Sequence, residues 1–114
     1  LILIDEDYFP VFQALASCSP AWYFQIIDTF ARAGLKYGLS KDSAVEIAAQ
    51  AMAGSAALLL SEREAGTIPA QLIDRVTSPG GTTIAGLLAA EEGGLSTALV
   101  GAVDASIHAD SHLG

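Results

Sequence analysis

Small apolar residues recur at helical spacing along much of this sequence. Alanine alone supplies 21 of the 114 residues, and two stripes of small residues stand out. One comprises Ala48, Ala49, Met52, Ala53, Ala56, Ala57 and Leu60, and the other comprises Ala98, Ala102, Ala105 and Ala109 beside Leu95, Leu99, Val103 and Ile107. Such stripes favour helices that approach one another closely, because alanine adds little side-chain bulk. The sequence therefore predicts an all-α fold, a bundle of about six helices.

Charge and length limit what the chain can bind. The 13 acidic side chains outnumber the 5 Lys and Arg side chains and give a net charge of −8, which argues against a nucleic-acid partner because phosphate binding needs clustered cations. The longest uncharged helix-like stretch, residues 47–61, is shorter than the roughly 20 apolar residues that span a bilayer, so no membrane partner is expected. The apolar surplus is instead predicted to lie against a second copy of the chain. A lone cysteine, Cys18, suits a reducing compartment and predicts a cytoplasmic location.

Capping and breaking residues divide the chain into the predicted helices. Ser19 followed by Pro20 predicts the start of the second helix, and Ser40 predicts the start of the third. The helices are expected over residues 5–16, 19 to 34–38, 41–64, 69–76, 82–92 and 95–111. The opening Leu1–Ile4 run is β-prone but has no partner strand in the chain. We interpret residues 1–4 as the end of a preceding domain and residues 5–114 as one helical domain.

The clearest loop, Thr77–Gly81, leads into a helix that starts at Thr82 or Thr83. Gly80 and Gly81 allow the backbone to approach a ligand closely. A threonine at the helix start leaves free N–H groups beside a hydroxyl, an arrangement that suits a carboxylate or phosphate. An ordinary interhelix turn capped by threonine also explains this pattern.

Other reactive residues carry weaker signals. The sequence contains no G-x-G-x-x-G, Walker, C-x-x-C or H-E-x-x-H motif. Asp104, His108 and His112 follow one another at helical spacing, but we interpret them as a solvated face near the C-terminus and predict no metal. Cys18 is interpreted as a packed, inert thiol. Glu62, Arg63 and Glu64 are interpreted as a solvated helix end.

Two segments, Pro69–Leu72 and Val76–Leu87, together closely resemble the signature of the pyrroline-5-carboxylate reductases. The resemblance continues through Glu91–Leu95 and reaches back to Asp5, so it covers nearly the whole chain. It implies the all-helical, intertwined C-terminal dimerisation domain of such an enzyme. In that family an N-terminal dinucleotide-binding domain precedes this one, and Leu1–Ile4 would match the end of its last strand.

The resemblance also implies an activity for the full-length protein. That activity is the reduction of the C=N bond of 1-pyrroline-5-carboxylate to L-proline, the last step of proline synthesis, with NADPH or NADH bound mainly by the missing domain. The implied substrate-binding residues are Ser78, Gly80, Gly81, Thr82 and Thr83, and the Thr83 hydroxyl is the implied catalytic group near the ring nitrogen. A homodimer is implied, in a family whose dimers often stack into rings. The isolated chain is expected to be inactive.

The chain departs from the family pattern at two places. The family usually has Ser-Gly-Ser-Gly-Pro-Ala-Tyr where this chain has Ala16–Trp22, so both glycines are lost and a turn near the cofactor is expected to be reshaped. Ala90 replaces a larger apolar residue. These departures keep an alternative open, in which the chain is a divergent, non-catalytic paralogue that serves oligomerisation or regulation.

Overall fold

The computed structural model describes residues 4–113, with side chains described up to Asp110. All regular structure in this part of the chain is helical, which confirms the predicted fold class. A 3-10 turn, Glu6–Tyr8, and a π-helical turn, Ala14–Cys18, accompany the α-helices α1 (Phe9–Gln13), α2 (Ser19–Lys36), α3 (Lys41–Ser61), α4 (Pro69–Val76), α5 (Thr82–Glu92) and α6 (Leu95–Leu113). Residues 1–3, which carry most of the expected strand end, lie outside the described residues.

The predicted break between the first two helices is wrong. α1, the π-helical turn and α2 form one continuous helix from Phe9 to Lys36. Residues 4–113 therefore contain five continuous helices rather than about six. Four predicted starts are confirmed, because α3, α4, α5 and α6 begin at the expected residues.

The π-helical turn explains why Ser19 is not a cap. Ser19 has helical backbone angles, and its N–H donates to the carbonyl of Ala14, five positions earlier. Its hydroxyl donates to the carbonyl of Leu15 at 2.5 Å. Pro20 has no N–H to continue the ladder, and its ring would crowd the carbonyl of Ala16 in a regular α-helix. Widening the helix by one residue accommodates the proline without ending the helix.

The chain forms two units, each with its own close contacts. One unit comprises the chain up to Gln25 together with the chain from Ala90 onward, and the other comprises Ile26–Ala89. In the first unit, α6 contacts α1 and the π-helical turn, and Ala14 is buried. Small side chains at this contact allow the helices to lie close together.

In the second unit, the end of α2 and the start of α3 contact each other beside the turn that joins them. Ser40 caps α3 as predicted, because its Oγ accepts the N–H of Ser43 at 3.1 Å. The Asp28 carboxylate contacts Arg32 at 3.1 Å and Lys41, the first residue of α3, at 3.2 Å. A Cβ placed on Gly34 would lie only 3.0 Å from the Cβ of Ala44. The two helix ends are thus held together by a small-residue contact and by a carboxylate shared between two cations.

Large apolar side chains remain exposed in the described part of the chain. Its only buried hydrophobic residues are Ala14, Ala31 and Ala44, and no large side chain there is fully buried. The accessible surface is 8777 Å², about half again as large as the roughly 5,900 Å² typical of a folded monomer of 11.7 kDa. Residues exposed on α2, α3 and α6 include Phe24, Phe30, Ile47, Leu60, Leu99 and Val100. A chain with so little buried apolar surface needs a further partner surface to be stable.

The helix α3 is also long and apolar enough to cross a membrane, judged by length and composition, and it alone qualifies among residues 4–113. The uncharged stretch 47–61 appeared too short because the helix begins earlier, at Lys41. The same length and composition suit a helix that packs against another chain. Its alanine stripe favours that interpretation, because small residues permit close helix contacts.

Candidate functional site

The loop before α5 is a tight turn from Ser78 to Gly81. The carbonyl of Ser78 accepts the N–H of Gly81 at 3.0 Å. Pro79 occupies the second position, and Gly80 occupies the third with φ of +71°. This combination is typical of a type II turn, in which proline presets the first central residue and the second needs positive φ. Any side chain at Gly80 would strain the turn.

The turn leads directly into the amino end of α5. The carbonyl of Gly81 accepts the N–H of Ala85 at 3.3 Å, so regular helical bonding begins there. The N–H groups of Thr82, Thr83 and Ile84 precede the first such bond and have no carbonyl one helical turn earlier. Thr82 and Thr83 are exposed. The helix start therefore offers backbone donors, two hydroxyl groups and the positive end of the helix dipole.

Ser78 and Gly81 are in close contact at this helix start. A Cβ placed on Gly81 would lie 2.5 Å from Oγ of Ser78 and 3.2 Å from its carbonyl oxygen. The hydroxyl of Ser78 thus lies against the Cα of Gly81, in space that a side chain at Gly81 would fill. The turn brings this hydroxyl to the same end of α5 as the free N–H groups.

The arrangement suits a small anion bound by neutral donors. Serine and threonine hydroxyls, free backbone N–H groups and a helix amino end together favour a carboxylate or phosphate. The nearest cation in the sequence, Arg75, is paired with Glu62, whose Oε2 lies 2.9 Å from its Nη1. The five residues singled out in the sequence, Ser78, Gly80, Gly81, Thr82 and Thr83, form one turn and the first residues of one helix.

Glu62 lies at the helix end as interpreted, but it is half-buried and has two partners. Its Oε1 accepts the hydroxyl hydrogen of Thr67 at 3.0 Å, while Oε2 accepts a hydrogen bond from Arg75. Thr67 is only 5% exposed. The hydrogen bond from Arg75, followed by that from Thr67, lowers the pKa of Glu62. No local pattern signals this contact, because Arg75 lies 13 positions further along the chain.

The other residues considered in the sequence form no metal site in the described part of the chain. Asp104 and His108 lie on α6, whereas the side chain of His112 is outside the described residues. Among the described residues no group of three His, Cys, Asp or Glu side chains is placed to hold a metal ion. Cys18 is half-buried at the end of the π-helical turn.

Comparison with known proteins identifies the family. A family model described as pyrroline-5-carboxylate reductase dimerisation matches residues 6–113. The chain belongs to this pyrroline-5-carboxylate reductase dimerisation family. The resemblance inferred from the Pro69–Leu87 segment is thereby confirmed. The pyrroline-5-carboxylate reductase of Treponema pallidum (strain Nichols) is 45% identical to this chain over 105 residues, which are 92% of this chain and 39% of that protein.

Solved structures of pyrroline-5-carboxylate reductases share the fold. The Streptococcus pyogenes enzyme matches with a TM-score of 0.85 and 39% identity, over 94% of this chain and 40% of that one. The Plasmodium falciparum enzyme, solved with NADP bound, matches with a TM-score of 0.86 and 28% identity, over 97% of this chain and 41% of that one. The chain thus spans about two fifths of the length of these dimerisation-family relatives.

Proposed function

We propose that this chain is the dimerising and substrate-binding domain of a pyrroline-5-carboxylate reductase. The full-length protein would reduce the C=N bond of 1-pyrroline-5-carboxylate to give L-proline. One observation carries the proposal, namely the Ser78 hydroxyl held against Gly81 at the free amino end of α5, in a chain that belongs to this family. The substrate is a small carboxylate, the class of ligand that such a helix start binds best.

The residues of the turn bind the substrate carboxylate. The hydroxyl of Ser78 and the N–H groups of Thr82 and Thr83 donate hydrogen bonds to its two oxygens. Gly80 and Gly81 keep the turn free of side chains, so the carboxylate reaches the backbone donors. The positive end of the α5 dipole offsets the negative charge of the substrate.

The Thr83 hydroxyl acts at the other end of the substrate. It donates to or accepts from the ring nitrogen, which becomes protonated in the reaction, and so holds that nitrogen in place. With the carboxylate fixed by the turn and the nitrogen fixed by Thr83, the imine carbon has one orientation. Orientation and charge placement of this kind supply much of the rate enhancement in such reactions.

Most of the cofactor site is assigned to another domain of the full-length protein. The residues described here are helical, the sequence has no G-x-G-x-x-G motif, and only 5 Lys and Arg side chains are available for phosphates. Bound NADPH or NADH supplies the hydride, and we assign its binding to an N-terminal domain that ends at residues 1–4. The 114-residue chain by itself should therefore not reduce 1-pyrroline-5-carboxylate.

Single substitutions in the full-length protein test the proposal. Thr83→Ala should lower kcat/KM by about 100-fold, and Ser78→Ala should raise KM for 1-pyrroline-5-carboxylate. Thr97→Ala is the matched control, because Thr97 is an exposed threonine in the first turn of α6 and should leave the kinetics unchanged. Unchanged kinetics in Thr83→Ala would refute its role. A wild-type protein without reductase activity under either cofactor would instead favour the non-catalytic paralogue.

The partner in this proposal is a second copy of the chain. The alanine stripes on α3 and α6 would pair across a two-fold axis and cover the exposed apolar residues of each protomer. Stacking of dimers into larger rings and a cytoplasmic location stay predictions.

A further inference from the structure

A polar cluster ties both ends of α4 to the end of α3. Glu62 directly follows α3, and its carboxylate binds two partners. Oε1 accepts from Thr67, just before α4, at 3.0 Å, and Oε2 accepts from Arg75, in the last turn of α4, at 2.9 Å. We call Glu62, Thr67 and Arg75 the α4 clamp. The single carboxylate of Glu62 thereby connects the end of α3 to both ends of α4.

Polar contacts hold both ends of α4 in the described chain. None of the side chains of α4 is buried. Its amino end is held by Gln71, whose Oε1 accepts the N–H of Ile68 at 2.9 Å, and Arg63 donates to the carbonyl of Thr67 at 2.8 Å. Because no side chain of α4 is fully buried and only Leu72 among its apolar side chains is half-buried, these hydrogen bonds and the clamp contribute strongly to the direction of the helix.

The carboxyl end of α4 leads directly into the Ser78–Gly81 turn. Thr77 follows the helix, and its hydroxyl donates to the carbonyl of Ile73 at 2.9 Å, which fixes the backbone just ahead of Ser78. A rotation of α4 about its amino end would therefore displace the Ser78–Gly81 turn. A displacement of about 1 Å is enough to cost large factors in rate or binding.

We propose that Glu62 is a positioning residue, which holds the carboxyl end of α4 through Arg75 and thereby keeps the Ser78–Gly81 turn in the geometry that binds the substrate carboxylate. This inference rests on the proposed function of that turn. The contacts with Arg75 and Thr67 also lower the pKa of Glu62, so its carboxylate is charged at neutral pH. Glu62 touches neither substrate nor cofactor, and its effect reaches the site through α4.

The Glu62→Gln variant of the full-length protein tests the inference. Glutamine keeps the size of the side chain and an acceptor for Thr67 but removes the charge that binds Arg75. KM for 1-pyrroline-5-carboxylate should rise about tenfold, while KM for the nicotinamide cofactor should change by less than about twofold, because another domain binds it. The control is Glu64→Gln, since Glu64 is an exposed carboxylate nearby with no ion pair among the described residues.

A double-variant cycle with Arg75→Gln separates positioning from general destabilisation. If the clamp acts as a unit, the Glu62→Gln/Arg75→Gln protein should have the same KM as either single variant. Arg75→Lys keeps the positive charge, so its KM for 1-pyrroline-5-carboxylate should lie between that of Arg75→Gln and that of the wild type. An unchanged substrate KM in Glu62→Gln, additive effects in the cycle, or equal changes in both KM values would overturn the inference. Failure of the proposed function looks different, because the wild-type protein itself would then show no reduction.

Discussion

At the scale of single residues, the proposed site depends on the contact between Ser78 and Gly81. The Oγ of Ser78 occupies the space where any other residue at 81 would place its Cβ, 2.5 Å away. Such a contact must relax, either by rotation of the Ser78 side chain or by a shift of its carbonyl oxygen. Rotation of the Ser78 side chain would move its hydroxyl donor away from the amino end of α5, and a shift of the carbonyl would distort the turn that places this hydroxyl.

We therefore expect Gly81→Ala to raise KM for 1-pyrroline-5-carboxylate in the full-length protein by about tenfold. The control is Gly86→Ala in the middle of α5, where an added Cβ meets no atom within 4 Å. That control should keep the wild-type KM and gain about 0.5–1 kcal/mol of stability, because alanine favours a helix over glycine. Steady-state kinetics and thermal unfolding measure the two effects. A wild-type KM in Gly81→Ala would show that the Ser78 position is unimportant.

The sequence identified the residues of the turn but not everything that they do. Gly81 was expected to let a ligand approach the backbone, and the structure shows that it also makes room for the protein's own Ser78 side chain. The contacts of Glu62 were not predicted. Its partners lie 5 and 13 positions away, and the bend of the chain that brings them together leaves no periodic signal.

At the scale of elements, charged side chains join helices in the second unit. Hydrogen bonding from Lys41, with further contributions from Arg32, lowers the pKa of Asp28, and Arg75 lowers that of Glu62. Because the folded-state pKa lies below the unfolded value in each case, both groups stabilise the fold at neutral pH. Their stabilisation begins to be lost as pH falls below the ordinary carboxylate pKa of about 4, and it is gone once pH has fallen through the lower folded-state pKa of each group.

Thermal unfolding of the 114-residue chain, followed by circular dichroism, should show this dependence. The melting temperature should fall between about pH 6 and pH 3. In an Asp28→Asn/Glu62→Gln variant the starting stability should be lower and the fall smaller, because two of the titrating groups are gone. Asp74→Asn is the control, since Asp74 is exposed and forms no ion pair among the described residues. The same pH dependence in the double variant and the wild type would contradict the assignment.

The helix boundaries show which sequence signals are decisive. α4 begins at Pro69 and α3 begins after Ser40, as expected, because a cap or a first-turn proline stands where the chain is otherwise extended. Ser19-Pro20 carries the same signal but lies inside a continuous helix. There the serine hydroxyl and N–H satisfy the carbonyls of Leu15 and Ala14, so the proline is tolerated without a break. Local sequence does not distinguish these two outcomes.

At the scale of the whole molecule, the exposed apolar residues require a partner surface. Of the described hydrophobic residues only three alanines are buried, so the fold and the oligomer should be inseparable.

Wild-type protein should sediment as a dimer or larger assembly at micromolar concentration. Ile47→Glu, which places a charge at an apolar position of α3 that is 58% exposed, should weaken that assembly. Gln50→Glu adds the same charge at a position of α3 that is already polar and exposed and should not. A folded wild-type monomer at that concentration would contradict the dimer.

Binding of the substrate carboxylate at the Ser78–Gly81 turn is the central proposal for this protein. A crystal structure of the full-length protein with L-proline bound measures this directly. We predict that the proline carboxylate lies within about 3 Å of Oγ of Ser78 and of the N–H groups of Thr82 and Thr83, with the ring nitrogen beside the Thr83 hydroxyl. A proline carboxylate bound away from the Ser78–Gly81 turn, with the amino end of α5 left to solvent, would contradict it.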